Sequence, residues 1–385
     1  MRVLITSPAG LGHVHPMAPL ARAMMARGND VLWGVPANGA AEVERCGVRA
    51  AVVASPLPIG PALAMERFPE LTSLSPEKLP EALFGKVWGA IAAPPMLAGL
   101  LPLVERWRPD LVICDATELA GHIVAAELDV PSVTKSFGPL LPAGRVASAA
   151  SEVAPLWRSR GLDPRPYCGS YDTLYIDSYP PFLQPDVPEH VPHRQLLRPD
   201  RDDGRFDASS PLPLPEHPRG APLVYVTMGT VFNDASPLRR TVDALEGLPV
   251  RALVTVGPVA DPGVLGTPPP HVRVERYVPQ SAVLRHCDLV VSHAGSGTVL
   301  GAAAHGLPQL CLPQGADQFL NASAIASAGA GLALMPHEST PNAIAMAVTR
   351  LLEERGFRDA AAEASASIAA MPGEEEVAGI LETVV

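Results

Sequence analysis

Two groups of residues in the last third of the chain could bind a phosphorylated sugar. The turn Ser292-His293-Ala294-Gly295-Ser296-Gly297-Thr298 follows a short apolar run at residues 289–291. A strand, a glycine-rich turn and a helix start expose backbone N–H groups beside the positive helix end, which suits a diphosphate, and His293 can donate a further hydrogen bond. Asp317 and Gln318 follow later. A carboxylate accepts two hydrogen bonds and an amide both donates and accepts, so this pair suits vicinal sugar hydroxyls. The order of the two groups predicts a nucleotide-sugar site.

A histidine near the start of the chain has the chemistry of a general base. His13 ends the segment Ser7-Pro8-Ala9-Gly10-Leu11-Gly12-His13, which follows a predicted strand. The unperturbed pKa of histidine lies near neutral pH, so its ring can take a proton from a hydroxyl. Gly10 and Gly12 allow a sharp turn and the approach of a substrate. The alternative is a loop or helix-capping histidine.

Asp115 is the candidate partner of His13. It ends the buried-strand pattern Leu111-Val112-Ile113-Cys114. The carboxyl ends of parallel strands meet at one edge of a sheet, so the aspartate and the histidine should lie close together. A carboxylate there would hold the ring tautomer and stabilise the imidazolium. The alternative is that Asp115 caps a helix predicted at residues 117–128.

His13 and His15 together could suggest a zinc site. Alternate residues point the same way only in an extended strand, and Pro16 follows immediately. No third ligand stands at a suitable spacing, so we expect no metal.

Two similar halves position these residues. Each opens with a strand, a glycine-containing turn and a helix or a second strand. The first half has strands at residues 3–6 and 31–35 around a helix expected to begin at Pro16, and the second half restarts at residues 223–227. Such βαβ units predict parallel sheets with helices on both faces. Residues 199–222 hold six prolines and are predicted to be an interdomain linker, and residues 374–385 are predicted to form a final helix.

The segment at residues 276–322 resembles the donor-binding signature of family 1 glycosyltransferases with the GT-B fold, in particular bacterial enzymes that glycosylate antibiotics. The resemblance rests on Tyr277-Val278-Pro279-Gln280, on the His293-to-Thr298 turn and on Asp317-Gln318. It implies an α/β GT-B architecture of two facing Rossmann-like domains with a cleft between them. The expected domains are an acceptor-binding domain at 1–205, a donor-binding domain at 206–370 and a helix at 371–385 that packs back on the first domain.

The resemblance also implies a role for individual residues. His13 and Asp115 match the acid–base pair, in an inverting mechanism that needs no carboxylate nucleophile and no metal or other cofactor. Gly10 and Gly12 belong to the acceptor loop. Tyr277 would stack on the base, Val278 would bind it through backbone atoms, Gln280 would fix the ribose or base, and Asp317 with Gln318 would read the sugar. The residues matching diphosphate-binding positions are Thr230, His293, Gly295, Ser296, Gly297 and Thr298.

One departure from the family pattern bears on the nucleotide. Many relatives that use UDP-glucose carry a glutamate in the helix after the phosphate turn, where it binds the ribose hydroxyls. Here that position is Gly301. A site without this carboxylate gains nothing from a 2′-hydroxyl and leaves room, so we expect a dTDP-sugar donor. The resemblance to bacterial antibiotic glycosyltransferases implies that its sugar is a deoxyhexose.

The acceptor is expected to be a hydrophobic small molecule. The variable first-domain segments at 56–88 and 137–179 are rich in large apolar residues, although ordinary packing would explain each one singly. The alternatives are a UDP-glucose-dependent glucosyltransferase of small aglycones and a non-catalytic sugar-nucleotide-binding activator. A UDP-N-acetylglucosamine epimerase would leave His13 and Asp115 unused. An NAD-dependent dehydrogenase would need a third glycine after Gly12.

The bulk composition is that of a large enzyme. The chain has 385 residues, of which 47% are hydrophobic and 18% charged, so two domains are expected. A net charge of -11 argues against nucleic acid or an anionic membrane as the main partner. The apolar stretch at 90–104 contains prolines and is expected to be too short to span a bilayer. Five scattered cysteines predict buried thiols in a reducing compartment, so we expect a cytoplasmic protein; a homodimer is compatible with the sequence.

Overall fold

The computed structural model divides the chain into two compact units. It describes residues 1–57, 60–75, 77–200, 212–215, 220–229, 235–257 and 260–385. The first unit comprises Met1–Ser178, Val187–Leu197 and Pro372–Val385, and the second comprises Tyr179–Asp186 and Arg198–Met371. The predicted boundary between 205 and 206, and much of the predicted linker, lie outside the described residues.

The first unit is a seven-stranded parallel sheet covered by helices. The strand order is β3-β2-β1-β4-β5-β6-β7. Its strands are β1 (Arg2–Thr6), β2 (Asp30–Pro36), β3 (Ala50–Ala54), β4 (Leu111–Asp115), β5 (Ser132–Lys135), β6 (Leu174–Asp177) and β7 (Arg194–Leu196). Its helices are α1 (Leu11–Ala26), α2 (Ala37–Arg45), α3 (Pro61–Arg67), α4 (Leu79–Phe84), α5 (Ala93–Trp107), α6 (Ala120–Leu128), α7 (Ala143–Ser159) and, at the end of the chain, α14 (Glu374–Leu381).

The second unit has a six-stranded parallel sheet of the same kind. The strand order is β10-β9-β8-β11-β12-β13. Its strands are β8 (Leu223–Thr227), β9 (Arg251–Thr255), β10 (Val272–Glu275), β11 (Leu289–Ser292), β12 (Gln309–Cys311) and β13 (Gly331–Ala333). Its helices are α8 (Ser236–Leu245), α9 (Gln280–Leu284), α10 (Ser296–Ala304), α11 (Gln318–Ser327), α12 (Pro341–Glu353) and α13 (Arg355–Ala369). The predicted fold class, two Rossmann-like parallel-sheet domains, is confirmed.

The central strands are buried on both faces, as expected for parallel sheets with helices on each side. All five residues of β4 and all five of β8 are buried. Burial of this kind explains why both strands appear in the sequence as continuous apolar runs.

The final helix belongs to the first unit. Val377 and Leu381 of α14 are fully buried in the same hydrophobic cluster as Met24 of α1. Arg27 and Asn29 donate hydrogen bonds to the Glu382 carboxylate at 2.6 and 2.8 Å. These contacts hold the end of the chain against its first helix.

Helix α1 begins five residues before the predicted start at Pro16. The Gly10 backbone is extended (φ -66°, ψ 142°), and its carbonyl accepts the N–H groups of His13 and Val14 at 2.9 and 3.0 Å. Pro16 and Pro19 therefore lie inside the helix, although proline lacks the N–H for an interior hydrogen bond. The prediction used proline as a marker of the first helical position, and here the extended glycine marks the start instead. His13 consequently lies in the first turn of a helix rather than in the preceding loop.

The apolar stretch expected to be too short for a bilayer is part of a longer helical segment. Helix α4, a π-helical segment (Gly85–Ala92) and α5 run continuously over Leu79–Trp107, and the 29 residues are long and apolar enough to cross a membrane. The expectation that this stretch is too short is therefore wrong for the helical segment as a whole, and half of its most apolar window is buried inside the protein. Pro94 and Pro95 fall in the first turn of α5 and do not interrupt the segment.

Candidate active site

His13 and Asp115 meet at the carboxyl edge of the first sheet. His13 Nδ1 lies 3.1 Å from Asp115 Oδ2 and 3.2 Å from Oδ1. Asp115 is fully buried and the His13 side chain is 17% exposed. Because an ionised carboxylate only accepts hydrogen bonds, Nδ1 carries the ring proton and Nε2 carries the lone pair. This is the tautomer that a general base needs.

The capping role considered for Asp115 belongs to another residue. Helix α6 begins at Ala120, and the Glu118 carboxylate accepts the N–H groups of Ala120 and Gly121 at 2.9 and 3.0 Å. Burial raises the pKa of Glu118. Asp115 instead accepts two hydrogen bonds from Thr117, from its N–H at 2.8 Å and its hydroxyl at 2.6 Å. These bonds fix the Asp115 carboxylate in front of His13.

A buried lysine lies next to the pair. Lys135 is the register partner of Asp115 on β5 and is fully buried. Its Nζ donates to Ser136 O at 2.5 Å and to Ser178 Oγ at 2.8 Å. Burial lowers the pKa of Lys135 to about 8, against the opposing effect of Asp177 and Asp115. Its positive charge partly compensates the buried carboxylates around it.

Aromatic rings flank His13 beside an apolar pocket. The ring of Trp88 lies edge-on at 5.5 Å between centroids, and that of Phe137 lies at 4.8 Å. A small pocket in the first unit is lined by Trp88, whose ring contacts His13, and by Thr117, which donates hydrogen bonds to Asp115. Its lining residues are Pro8, Pro36, Leu57, Trp88, Ala92, Ala93, Met96, Thr117, Glu118 and Leu119. Gly10 and Gly12 lie at the start of α1, beside His13. The rings of Trp88 and Phe137 thus give His13 apolar surroundings.

In the second unit the predicted phosphate turn lies at the start of α10. Gly295 precedes the helix with an extended backbone, and Ala294 has a left-handed conformation at φ 62°. The N-cap residue of α10 is Gly295, which has no side chain that could accept hydrogen bonds from the first N–H groups of the helix. Gly297 is exposed at this helix end. The turn thus presents backbone donors and the positive end of the helix dipole, as an anion site requires.

The ring of His293 fits between two glycines. A Cβ atom at Gly229 would lie 2.6 Å from His293 Nε2, and one at Gly295 would lie 2.5 Å from the same atom. Gly229 also has φ +77°, which other residues seldom adopt. Burial lowers the pKa of His293 to about 4, with Asp317 opposing the shift. The ring is therefore neutral at pH 7 and has one N–H to donate, and the Thr227 backbone is one hydrogen-bond partner of the ring.

The predicted base-binding residues surround α9. Tyr277 is 46% exposed, whereas Val278 is buried. The Gln280 side chain accepts a hydrogen bond from Thr298 Oγ1 at 3.0 Å, which connects α9 to the first turn of α10. A Cβ at Gly301 would lie 2.9 Å from Gln280 Nε2. The expectation of open room at Gly301 is therefore wrong, because the Gln280 amide fills that space.

The predicted sugar-binding pair divides into two environments. Asp317 is partly exposed, and its Oδ2 accepts the Ser296 hydroxyl at 2.6 Å. Gln318 is buried, and its Oε1 accepts the N–H groups of Gln314 and Gly315 at 2.7 and 3.1 Å. Asp317 thus combines partial exposure with a carboxylate held through Oδ2, and Gln318 holds the loop before it.

Sequence reasoning missed a residue in this group. Asn321 is fully buried one helical turn after Asp317 and donates to Asp317 Oδ2 at 2.9 Å. Its spacing of four residues from Asp317 on a predicted helix was the available signal. Thr230, another predicted diphosphate contact, lies outside the described residues.

His15 does not share a ligand position with His13. Its Nε2 lies 2.6 Å from Glu42 Oε1, and the potential ligand atoms of His15, Glu42 and Cys46 lie within 4.8 Å of one another. Arg45 forms an ion pair with the same Glu42 carboxylate. Burial raises the pKa of the Cys46 thiol, and the positive charge of Arg22 opposes this shift. Cations therefore already compensate this group, and we assign no metal to it.

Comparison with known proteins identifies the family. The N-terminal domain of the erythromycin biosynthesis protein CIII-like family matches residues 80–191, and its C-terminal domain matches residues 239–384. The elloramycin glycosyltransferase ElmGT of Streptomyces olivaceus is 32% identical over 407 aligned positions, covering 100% of this chain and 97% of that protein. The L-demethylnoviosyl transferase of Streptomyces niveus is 33% identical over 370 positions, covering 92% and 90%.

A solved structure agrees with these relatives. The spinosyn rhamnosyltransferase SpnG complexed with thymidine diphosphate is 28% identical, with a TM-score of 0.82, and the match covers 99% of this chain and 100% of that chain. The comparison of structures and the comparison of sequences thus both identify glycosyltransferases. The chain belongs to the erythromycin biosynthesis protein CIII-like family and is a GT-B glycosyltransferase of natural-product biosynthesis.

Proposed function

We propose that the protein is an inverting O-glycosyltransferase that moves a deoxyhexose from a dTDP-sugar to a hydroxyl of a hydrophobic natural-product aglycone. The observation that carries this proposal is the His13–Asp115 pair, with Nδ1 and Oδ2 3.1 Å apart beside an apolar pocket. A buried carboxylate behind a partly exposed imidazole is the arrangement of a general base.

In the proposed step His13 acts on the acceptor. Its Nε2 takes the proton of the acceptor hydroxyl, and the hydroxyl oxygen forms a bond to the anomeric carbon. The bond from that carbon to the diphosphate oxygen breaks, and its electron pair leaves with the nucleotide diphosphate. The single displacement inverts the anomeric centre. Asp115 stabilises the imidazolium that forms and stays ionised throughout.

The leaving diphosphate would be stabilised by the turn before α10. Its backbone donors, the positive helix end and the neutral His293 ring all favour negative charge there. With these groups in place, we propose that the reaction needs no metal ion. Turnover in the presence of a chelator such as EDTA should then equal turnover without it, and loss of activity restored by Mg²⁺ would contradict this part of the proposal.

The preference for dTDP rests on position 301. Gly301 supplies no carboxylate for a ribose 2′-hydroxyl, and the Gln280 amide occupies the adjacent space. The structure of SpnG with thymidine diphosphate supports the same nucleotide. The elloramycin and demethylnoviosyl relatives support a natural-product aglycone as acceptor, and the aromatic rings of Trp88 and Phe137 beside His13 support its hydrophobic character.

Isothermal titration with dTDP and with UDP tests the nucleotide. We expect dTDP to bind more tightly, and UDP binding tenfold tighter than dTDP would contradict the proposal. Mass spectrometry of a panel of dTDP-sugars with aglycones then tests the transfer itself.

A matched pair of histidine variants tests the base. His13→Ala should lose O-transfer, whereas His15→Ala on the same helix should retain it, because His15 faces Glu42. Undiminished transfer by His13→Ala would show that another group removes the proton.

A further inference from the structure

We propose that Asn321 is a positioning residue that orients Asp317 toward the donor sugar and joins the sugar-binding and diphosphate-binding residues in one network. The inference rests on the proposed function, because it takes Asp317 as the residue that binds the sugar. Asn321 itself would touch no substrate.

Three hydrogen bonds define the network at the start of α10 and α11. Asn321 Nδ2 donates to Asp317 Oδ2 at 2.9 Å and to Ser296 Oγ at 3.0 Å. The Ser296 hydroxyl donates in turn to Asp317 Oδ2 at 2.6 Å. Both bonds to the carboxylate therefore end on Oδ2. The carboxylate is held by one oxygen, and Oδ1 is the oxygen left to face a sugar hydroxyl.

Tyr179 sets the direction of the Asn321 amide. A carboxylate only accepts hydrogen bonds, so the amide must present its nitrogen to Asp317. The amide oxygen then faces the Tyr179 hydroxyl, which donates to it at 2.9 Å. Tyr179 and Asn321 are both fully buried, so water does not compete for these groups. The flipped amide would place two acceptors against each other and is excluded.

The same network connects two ligand functions. Ser296 is the first residue of α10, where the diphosphate is proposed to bind, and Asp317 precedes α11. A change in the Asp317 rotamer must break the bond to Ser296 or to Asn321. The rotamer of Asp317 is therefore tied to the side chain of Ser296, whereas the diphosphate is proposed to bind backbone N–H groups of the turn, which these three bonds do not involve.

Asn321→Leu and Asn321→Asp test this role in the full-length enzyme. Leucine keeps the number and branching of the side-chain heavy atoms and removes the donor, although its two methyl groups are bulkier than the amide. We expect kcat/KM for the nucleotide sugar to fall about tenfold or more, the loss expected for one hydrogen bond to a carboxylate, while the Kd of dTDP alone stays within about twofold. Aspartate keeps the acceptor for Tyr179 but sets two carboxylates together, which raises the pKa of one. Activity of this variant should therefore fall as the pH rises through that raised pKa, unlike that of the unmodified enzyme.

Gln309→Leu is the matched control, because it removes another fully buried amide of the same unit. Gln309 Nε2 donates to Val299 O at 3.1 Å and is not a partner of Asp317. This variant should lower the melting temperature without the pH dependence and without the fall in kcat/KM for the nucleotide sugar. If both Asn321 variants fail to fold, Ser296→Ala removes one of the two bonds to Oδ2 and should lower kcat/KM for the donor several-fold.

Two results would overturn the inference. One is donor kcat/KM within twofold of the unmodified enzyme in the folded Asn321 variants or, in their place, in Ser296→Ala. The other is a loss of dTDP affinity as large as the loss in donor kcat/KM. Asp317→Ala separates this failure from failure of the proposed function. Full activity of Asp317→Ala would remove Asp317 from the sugar site, whereas an inactive Asp317→Ala beside active Asn321 variants would reject the positioning role alone.

Discussion

Asp115→Asn should inactivate the enzyme without unfolding it. Asp115 Oδ1 accepts both hydrogen bonds from Thr117, and Oδ2 lies 3.1 Å from His13 Nδ1. An asparagine can keep its oxygen on Thr117, so its NH₂ group takes the place of Oδ2. That group must donate to His13 Nδ1, which moves the ring proton to Nε2. The ring then presents a proton where the acceptor hydroxyl needs a base.

The size of the effect follows from the lost charge. At about 4 Å and an effective dielectric constant near 20, a carboxylate stabilises an imidazolium by roughly 4 kcal/mol, and each 1.4 kcal/mol is a factor of ten. Part of this is offset by solvation, so kcat should fall about 10²- to 10³-fold, within the range of general-base catalysis. KM for the nucleotide sugar should stay within about twofold.

Steady-state kinetics at saturating donor would measure the change, with a thermal melt to confirm folding. His13→Ala and the double variant complete a thermodynamic cycle. If Asp115 acts through His13, the double variant should be no slower than His13→Ala. A fall of less than about threefold in Asp115→Asn, or additive losses in the double variant, would refute the reasoning.

Three further predictions concern stability and the donor turn. Burial lowers the pKa of His122 to about 4, below the unfolded value near 6.5, so the unfolded state binds more protons than the folded state between these pH values. The contribution of His122 to the free energy of unfolding should therefore fall by about 3 kcal/mol as the pH drops through this window. Urea titrations at each pH should show a smaller loss of stability in His122→Gln. Leu381→Ala should destabilise the protein by about 2–5 kcal/mol, because its side chain is fully buried in the core of the first unit; a melting temperature unchanged by this substitution would show that α14 is dispensable. Gly229→Ala should displace the His293 ring, remove one charge-assisted hydrogen bond to the diphosphate and so weaken dTDP binding about tenfold or more. Gly247→Ala should leave dTDP binding unchanged, because a Cβ atom at position 247 meets open space. Equal dTDP titration curves for the two variants would contradict the role of the ring.

The sequence predicted those features that depend on local pattern. The buried strands β4 and β8 appear as apolar runs, and the turn at 293–298 carries its glycines and histidine in the order that the structure uses. The partnership of His13 with Asp115 also followed from strand ends meeting at one sheet edge. The role of each residue in catalysis stays a prediction.

Features set by tertiary contacts were missed. Helix α1 starts at Leu11, directly after the extended backbone of Gly10, and residue type alone does not predict that conformation. The space at Gly301 is taken by Gln280, which precedes it by 21 positions and reaches it only once α9 and α10 pack together. Asn321 and Glu118 are polar residues on or before helices, and their hydrogen-bond partners become evident only from the fold.

The fit of His293 between Gly229 and Gly295 also constrains how relatives can be recombined. Gly229 follows β8 and the other two residues follow β11, so segments far apart in the chain supply one steric unit. A chimaera with a crossover between these strands would inherit His293 and Gly295 from one parent and the residue at position 229 from the other. Parents with a larger residue at either glycine position would then yield hybrids that fold around a displaced histidine. Crossovers placed before β8 keep the unit whole and should give the higher fraction of active hybrids.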